Sequence, residues 1–304
     1  MNVPFVVSIV GPTAAGKTAL SLQLADHLAG EIVNVDAFQI YRGMDIGTAK
    51  PTPEEQTRVP HHVIDMVDIH HAATLVEFHK WADTAIAEIT ARNKIPILVG
   101  GSGLYVRAIL DGLDVPPTDP TVRDKYNALL EEIGSASLYA RLEEIDPVAA
   151  ANILPGNTRR VVRALEVNEL TGQPFAATLP DAKPRFRSVR IGLDVPRERL
   201  RERMKLRIEN MLESGWQAEV AHLDADGLQS TPTASKALGY REISQLNTGQ
   251  LARAEAIELI TAATAKFGKR QMQWFKRDKN VQWFAFDDGD LVANAQLAVE
   301  QQLT

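Results

Sequence analysis

Cysteine is absent from the 304 residues, which excludes disulfides and thiolate metal sites. Aromatic residues are sparse at 6%. No run of about 18 apolar residues occurs, so no membrane span is expected. Met1-Asn2-Val3-Pro4 leads at once into an apolar run, without a basic segment and an apolar leader before it. No signal peptide is expected, and the location expected is cytoplasmic. Positive charge is in deficit: the net charge of −6 argues against a general nucleic-acid binder. What remains is ordinary, with 45% hydrophobic and 24% charged residues. These values suit a globular protein large enough for a substantial core and two structural units.

The basic residues that do occur are concentrated. Lys183, Arg185, Arg187, Arg190, Arg197, Arg199, Arg201, Arg203, Lys205 and Arg207 are opposed within their run only by Asp194, Glu198 and Glu202. Lys266, Lys269, Arg270, Lys276, Arg277 and Lys279 form a second cluster near Trp274 and Phe275. By charge alone these are solvated helix faces or a surface for an acidic partner.

Short apolar runs at Phe5–Val10, Glu31–Val35 and Ile95–Val99 alternate with helical patterns, one of them at Val76–Arg92. This alternation predicts an α/β fold, with a parallel sheet flanked by helices. Pro116-Pro117-Thr118-Asp119-Pro120 interrupts it. Helical patterns then follow at Thr121–Ile133, Leu138–Glu144 and Thr158–Leu170, the last stopped by Gly172 and Pro174. The expected division is therefore a first core part at 1–119, a mostly helical insertion at 120–183, and a return to the core at 184–304. That return starts with a strand at Ser188–Val195. Two long helices, about Pro196–Ser214 and Gln250–Arg277, precede a strand at Val281–Phe286 and a polar tail.

Between the first strand and the first helix stands Gly11-Pro12-Thr13-Ala14-Ala15-Gly16-Lys17-Thr18, a complete phosphate-binding loop. A chain of this length would contain the pattern by accident on the order of once in a hundred cases. A strand, a glycine-rich turn and a helix N-terminus aim backbone N–H groups and a positive dipole at one spot. Lys17 would reach the terminal phosphates, and Thr18 would offer its hydroxyl to Mg²⁺. The acidic residue that an NTPase needs for Mg²⁺ is missing, because the strand Ile95–Val99 ends in Gly100-Gly101-Ser102-Gly103. That turn suits close approach of another backbone. ATP hydrolysis is weakened as the activity, and ATP binding stays open. The acid comes instead from the second strand, which runs into Asp36. In a parallel sheet Asp36 shares the crevice of the phosphate loop. It is a general base, a Mg²⁺ ligand or a cap for the turn that follows.

The loop, the stretch from Val33 to Pro51, Pro60-His61-His62-Val63-Ile64-Asp65, Val99–Tyr105, Asn157–Val167, Gly239–Glu242 and Lys269–Phe275 together resemble the tRNA dimethylallyltransferases, also called tRNA isopentenyltransferases. The resemblance covers most of the chain. It implies transfer of the prenyl group of dimethylallyl diphosphate to the exocyclic amine of the adenosine on the 3′ side of the anticodon. The loop would then hold a departing diphosphate, which would explain the missing NTPase acid. By the same resemblance Thr13 bonds the bridging oxygen, and Arg203 and Arg207 lie near the diphosphate. Asp36 takes the proton of the amine, and Gln39 reads the adenine edge. Asp36, Ala37, Phe38, Gln39, Ser102, Arg123, Arg160, Val161, Val162, Arg163 and Ala164 are implied tRNA contacts, and the insertion grips the anticodon stem-loop. The target base must be extruded to be reached. Mg²⁺ is the implied cofactor and a monomer the expected state. The family usually has serine where Ala37 stands. His61, His62, His70, His71 and His79 lack a carboxylate or cysteine set at ligand spacing and are expected in packing or polar roles. Two other activities fit the loop: prenyl transfer to free adenine nucleotides, which would not need the insertion, and a P-loop kinase.

Overall fold

The computed structural model describes residues 3–113, 115–176 and 184–303. Lys183 and the end of the expected insertion, 177–183, lie outside them. Six strands form one sheet: β1 Phe5–Val10, β2 Gly30–Asn34, β3 His61–His62, β4 Ile95–Gly100, β5 Arg187–Asp194 and β6 Val281–Ala285. Their order is β3-β2-β4-β1-β5-β6, and every neighbouring pair is parallel, with Val7 opposite Ile97 and Val189. The sheet is buried on both faces, as parallel sheets are. Along β1 the side chains alternate between two cores. Val6 and Val10 join Phe78, Ile86, Trp216 and Tyr240 on one face. Val7 and Ile9 join Leu20, Leu24, Leu193 and Val299 on the other.

The helix over 75–91 buries Phe78, Ala82, Ala85, Ile86 and Ile89, and begins in a capping box between Thr74 and Glu77. The helices Arg197–Glu213 and Arg253–Phe275 agree with the sequence reading to within a turn. The expected polar tail does not. Residues Leu291–Leu303 form a helix that buries Ala295, Ala298 and Val299. Its apolar stripe is made mostly of alanine, which carries little hydrophobic contrast. The stretch between the two long helices also contains helices, at Trp216–Ala225 and Tyr240–Asn247. These supply Trp216 and Tyr240, among the largest fully buried side chains.

The chain divides into two compact units, 1–111 with 184–304, and 112–183. The second unit holds the helices Pro120–Ile145, Pro147–Ala151 and Thr158–Thr171. Gly134, at φ 79°, breaks the first of these, where the sequence suggested two separate helices. Gly172 ends the last at φ 65°. The unit's core is Tyr126, Leu138, Leu142, Ile153, Val161 and Leu165 with their neighbours. Thr118 and Asp119 belong to this unit through bonds to the buried Glu166.

Candidate active site

Val10 carries β1 into a loop whose backbone is left-handed at Gly11 (φ 144°), Ala14 (φ 63°) and Gly16 (φ 106°). A Cβ on Gly11 would lie 3.2 Å from the Leu193 carbonyl oxygen of β5, so the loop hugs the sheet. The helix Lys17–Leu28 starts directly after Gly16. Its first N–H groups are therefore at the loop. Lys17 Nζ donates to the carbonyls of Gly11 (3.1 Å) and Pro12 (2.8 Å).

The loop opens into a cleft of about 520 Å³. Thr13, Ala14, Ala15, Gly16, Lys17, Thr18, Asp36, Gln39, Arg203 and Arg207 all line it. The structure thus assembles in one place the residues that the sequence assigned to the diphosphate and to proton transfer. Gly11 and Pro12 lie buried beneath the loop and act through the carbonyls that hold Lys17. Arg203 reaches the cleft from the exposed side of its helix. Its Nε donates to the Ala14 carbonyl at 2.8 Å, and its guanidinium stacks 5.2 Å from the Phe286 ring. Leu200, Met204, Ile208 and Leu212 bury the opposite side.

Lys17, Arg203 and Arg207 face Asp36 here, and Lys50 and Glu55 also line the cleft. Burial, then the neighbouring Arg207 charge, lowers the Lys17 pKa to about 8, against the pull of Asp36. Burial likewise lowers that of Arg207. Burial raises the Asp36 pKa, against the Phe38 N–H bond and the Lys17 charge. The Phe38 N–H bonds Asp36 Oδ1 at 2.9 Å, so Asp36 caps its own turn while lining the cleft. A cleft with surplus positive charge is a receptor for a polyanion.

The glycine turn after β4 is explained by contact. A Cβ on Gly100 would lie 2.1 Å from the Val35 carbonyl oxygen, and one on Gly103 would lie 1.8 Å from Trp274 Cδ1. A Cβ on Gly101 would meet Gln271 Nε2 at 1.9 Å. Gln271 is a cleft residue that the sequence reading did not single out. Its Oε1 accepts the Thr13 N–H and its Nε2 donates to the Gly101 carbonyl, both at 3.0 Å. Its membership of the motif Lys269–Phe275 was the available signal.

Other expected contacts lie away from the cleft lining. Phe38 packs against the core, Ser102 stands before the helix Gly103–Leu110, and Ala37 sits on the turn between Asp36 and Gln39. In the helical unit the side chains of Val161, Val162 and Ala164 are buried in the unit's own core. The apolar face of that helix builds the unit's core, and Arg160 and Arg163 are its half-buried members at the surface. Arg163 donates to Glu166 Oε2 (2.8 Å) and to the Pro116 and Pro117 carbonyls. Arg123 donates to both oxygens of the same Glu166.

The long basic run divides by use. Arg185 pairs with Asp83, and Arg187 donates to the Gln302 carbonyl. Arg190 is buried between Asp111 and Asp278. Arg197, Arg199, Arg201 and Lys205 are exposed, with Arg201 and Lys205 beside Glu258. In the second cluster Lys276 sits over Trp283 at 4.3 Å, and Lys266, Lys269, Arg270, Arg277 and Lys279 are exposed. The five histidines singled out in the sequence have partners. His61 bonds the Val59 carbonyl, and His62, His71 and His79 lie against Glu31, Glu77 and Asp83. His70 lies 3.5 Å from Asp226. No helix among the described residues is long and apolar enough to cross a membrane.

Known proteins resemble this chain along most of its length. The family model described as IPP transferase matches residues 39–278. A tRNA dimethylallyltransferase of Salinispora tropica is 49% identical over 95% of this chain and 91% of its own. One from Thermobifida fusca is 49% identical over 95% and 92%. The crystal structure of a tRNA isopentenylpyrophosphate transferase from Bacillus halodurans superposes with a TM-score of 0.71 at 37% identity, covering 99% of this chain and 98% of that one. A eukaryotic dimethylallyltransferase captured acting on tRNA gives a TM-score of 0.80 at 26% identity, over 99% and 77%. With a family match over most of its length and relatives near half identity along nearly all of it, the chain belongs to the IPP transferase family.

Proposed function

We propose that this protein transfers the dimethylallyl group of dimethylallyl diphosphate to the exocyclic amine of the adenosine 3′-adjacent to the anticodon of tRNA, releasing diphosphate, in the cytoplasm. The observation that carries the reading is the pairing, in one cleft, of a phosphate-binding loop with Asp36. A carboxylate beside a polyanion site is electrostatically costly unless it has a task. Its raised pKa makes it a better proton acceptor.

The chemistry follows from these groups. The allylic C–O bond breaks and its electron pair leaves on the diphosphate. The amine nitrogen forms the new N–C bond, and its proton passes to Asp36. Lys17, Arg203, Arg207 and the N–H groups at the start of the helix stabilise the charge that develops on the leaving group. By mutational precedent one oriented donor of this kind contributes about 2.7–4 kcal/mol. Thr13, its N–H held by Gln271, is placed in the same wall. The Thr18 hydroxyl lines the cleft too and would be a hard oxygen ligand for Mg²⁺. Mg²⁺ held there would supply countercharge to the leaving group.

The helical unit supplies the RNA side of the reading. Arg160 and Arg163, with Arg123, would meet phosphates of the anticodon stem-loop, which is recognised by shape and backbone. The test is transfer of label from dimethylallyl diphosphate to tRNA or to AMP. Label in tRNA supports this reading, and label in AMP alone supports the free-nucleotide activity. Phosphate transfer from ATP would make the protein a kinase.

A further inference from the structure

Gln39 lines the same cleft as Asp36, on the turn that follows it. Its Nε2 lies 3.1 Å from the Thr48 carbonyl and 3.0 Å from the Ala49 carbonyl. Two carbonyl oxygens require the NH₂ end of the amide on that side, and they consume both of its hydrogens. What Gln39 has left for a ligand is Oε1, which can only accept. A purine whose amine stands at Asp36 would meet Gln39 as an acceptor, suited to an amine and repelled by a ring carbonyl.

The carbonyls that set this polarity belong to a loop closed by its own bonds, from the Ala49 N–H to the Ile46 carbonyl and the Lys50 N–H to the Asp45 carbonyl (both 2.9 Å) and from the Thr48 hydroxyl to the Met44 carbonyl (2.6 Å). The loop is held from outside by Glu219. One oxygen of Glu219 accepts the N–H groups of Asp45 (2.9 Å) and Ile46 (2.6 Å), and the other accepts that of Gly47 (3.1 Å). Tyr240, fully buried, donates its hydroxyl to the same carboxylate at 2.7 Å. Gly47 has no room for a side chain, since a Cβ there would lie 2.2 Å from Trp216 Nε1. The helix 216–225 therefore both abuts the loop and carries its anchor. On the far side Lys50 ties the loop to Asp45, Asp65 and the Tyr41 carbonyl.

We infer that Glu219 is a positioning residue for base selection. Through the loop 45–49 it fixes Gln39 as a pure acceptor and so favours a 6-amino purine over a 6-oxo purine. The inference rests on the proposed tRNA reaction. It differs from it by naming a carboxylate that touches no substrate and acts through backbone.

The test measures binding of two anticodon stem-loop RNAs, with adenosine or inosine at the target position, and of inorganic pyrophosphate. The wild-type protein should prefer adenosine by at least about tenfold, the cost of leaving one buried polar group unpaired. Glu219→Gln keeps the size but turns an NH₂ toward the loop N–H groups. It should lower that preference about tenfold, as should Gln39→Leu, while pyrophosphate affinity stays unchanged. Tyr240→Phe removes one bond to Glu219 and leaves the three N–H bonds, so a smaller fall in the same ratio is expected. It carries the test should circular dichroism show Glu219→Gln unfolded. An unchanged ratio in the folded variant overturns the inference, and so does an equal loss for both RNAs and pyrophosphate. Failure of the wild-type protein to bind either RNA better than an unstructured oligonucleotide would instead remove the tRNA reading itself.

Discussion

Gln271, 258 positions after Thr13, accepts the Thr13 N–H with its Oε1 and donates to the Gly101 carbonyl with its Nε2. One buried amide thus joins the phosphate loop, the glycine turn after β4 and the long helix Arg253–Phe275. The loop's shape depends on a residue from the far end of the chain. Gln271→Leu should weaken pyrophosphate binding by about tenfold, since it leaves the Thr13 N–H and the Gly101 carbonyl unpaired. Calorimetric titration of the folded variant checks this, and an unchanged Kd would mean the loop holds its shape alone.

Replacing Asp36 with asparagine removes the base and keeps the size and the Phe38 N–H bond. Turnover should fall by about 10²–10⁴, with tRNA affinity nearly unchanged. Single-turnover rates and a filter-binding Kd separate the two effects.

Lys17→Ala removes a charge from the diphosphate side only. The loss in kcat/KM should correspond to about 2.7–4 kcal/mol, with the tRNA Kd held. A defect confined to tRNA binding would contradict the assignment of Lys17.

The pH dependence has a definite sign on each side. Asp36 works deprotonated, and burial holds its pKa above the ordinary 3.8. Activity should therefore fall as pH drops through that raised value, earlier than for an exposed aspartate. Lys17 works protonated, and its pKa in the free protein is about 8. Pyrophosphate affinity should weaken as pH rises past about 8. Lys17→Arg, charged throughout this range, should move that limb upward, which separates it from titration of the pyrophosphate itself.

Stability should distinguish the two halves of the basic run. Arg190 is 3% exposed and holds Asp111 and Asp278. Arg190→Ala strands two carboxylates and should cost about 3–5 kcal/mol in urea unfolding. The exposed Arg197, replaced by alanine, should stay within about 0.5 kcal/mol of wild type.

The legible parts of this protein were those written in contiguous sequence. β1, the loop and the start of its helix form one segment, so their placement followed from spacing. Asp36 followed because parallel strands end at the same edge. Gln271 and Glu219 were not legible as site residues, because each acts on a backbone segment far away in sequence. The helix Leu291–Leu303 was missed because alanine and valine at helical spacing give weak contrast. Val161, Val162 and Ala164 show that a motif resembling a tRNA-contacting segment also contains the buried face of its own helix. Arg190 read as part of a surface run because charge in sequence does not reveal Asp111 and Asp278 waiting beside it.

The most direct measurement is a transfer assay with Mg²⁺, dimethylallyl diphosphate labelled in its five-carbon group, and a tRNA with adenosine 3′ to the anticodon. Label should enter that adenosine with release of one pyrophosphate per transfer, and Asp36→Asn should abolish most of it. Absence of label from the tRNA, or turnover undiminished by Asp36→Asn, would contradict the account.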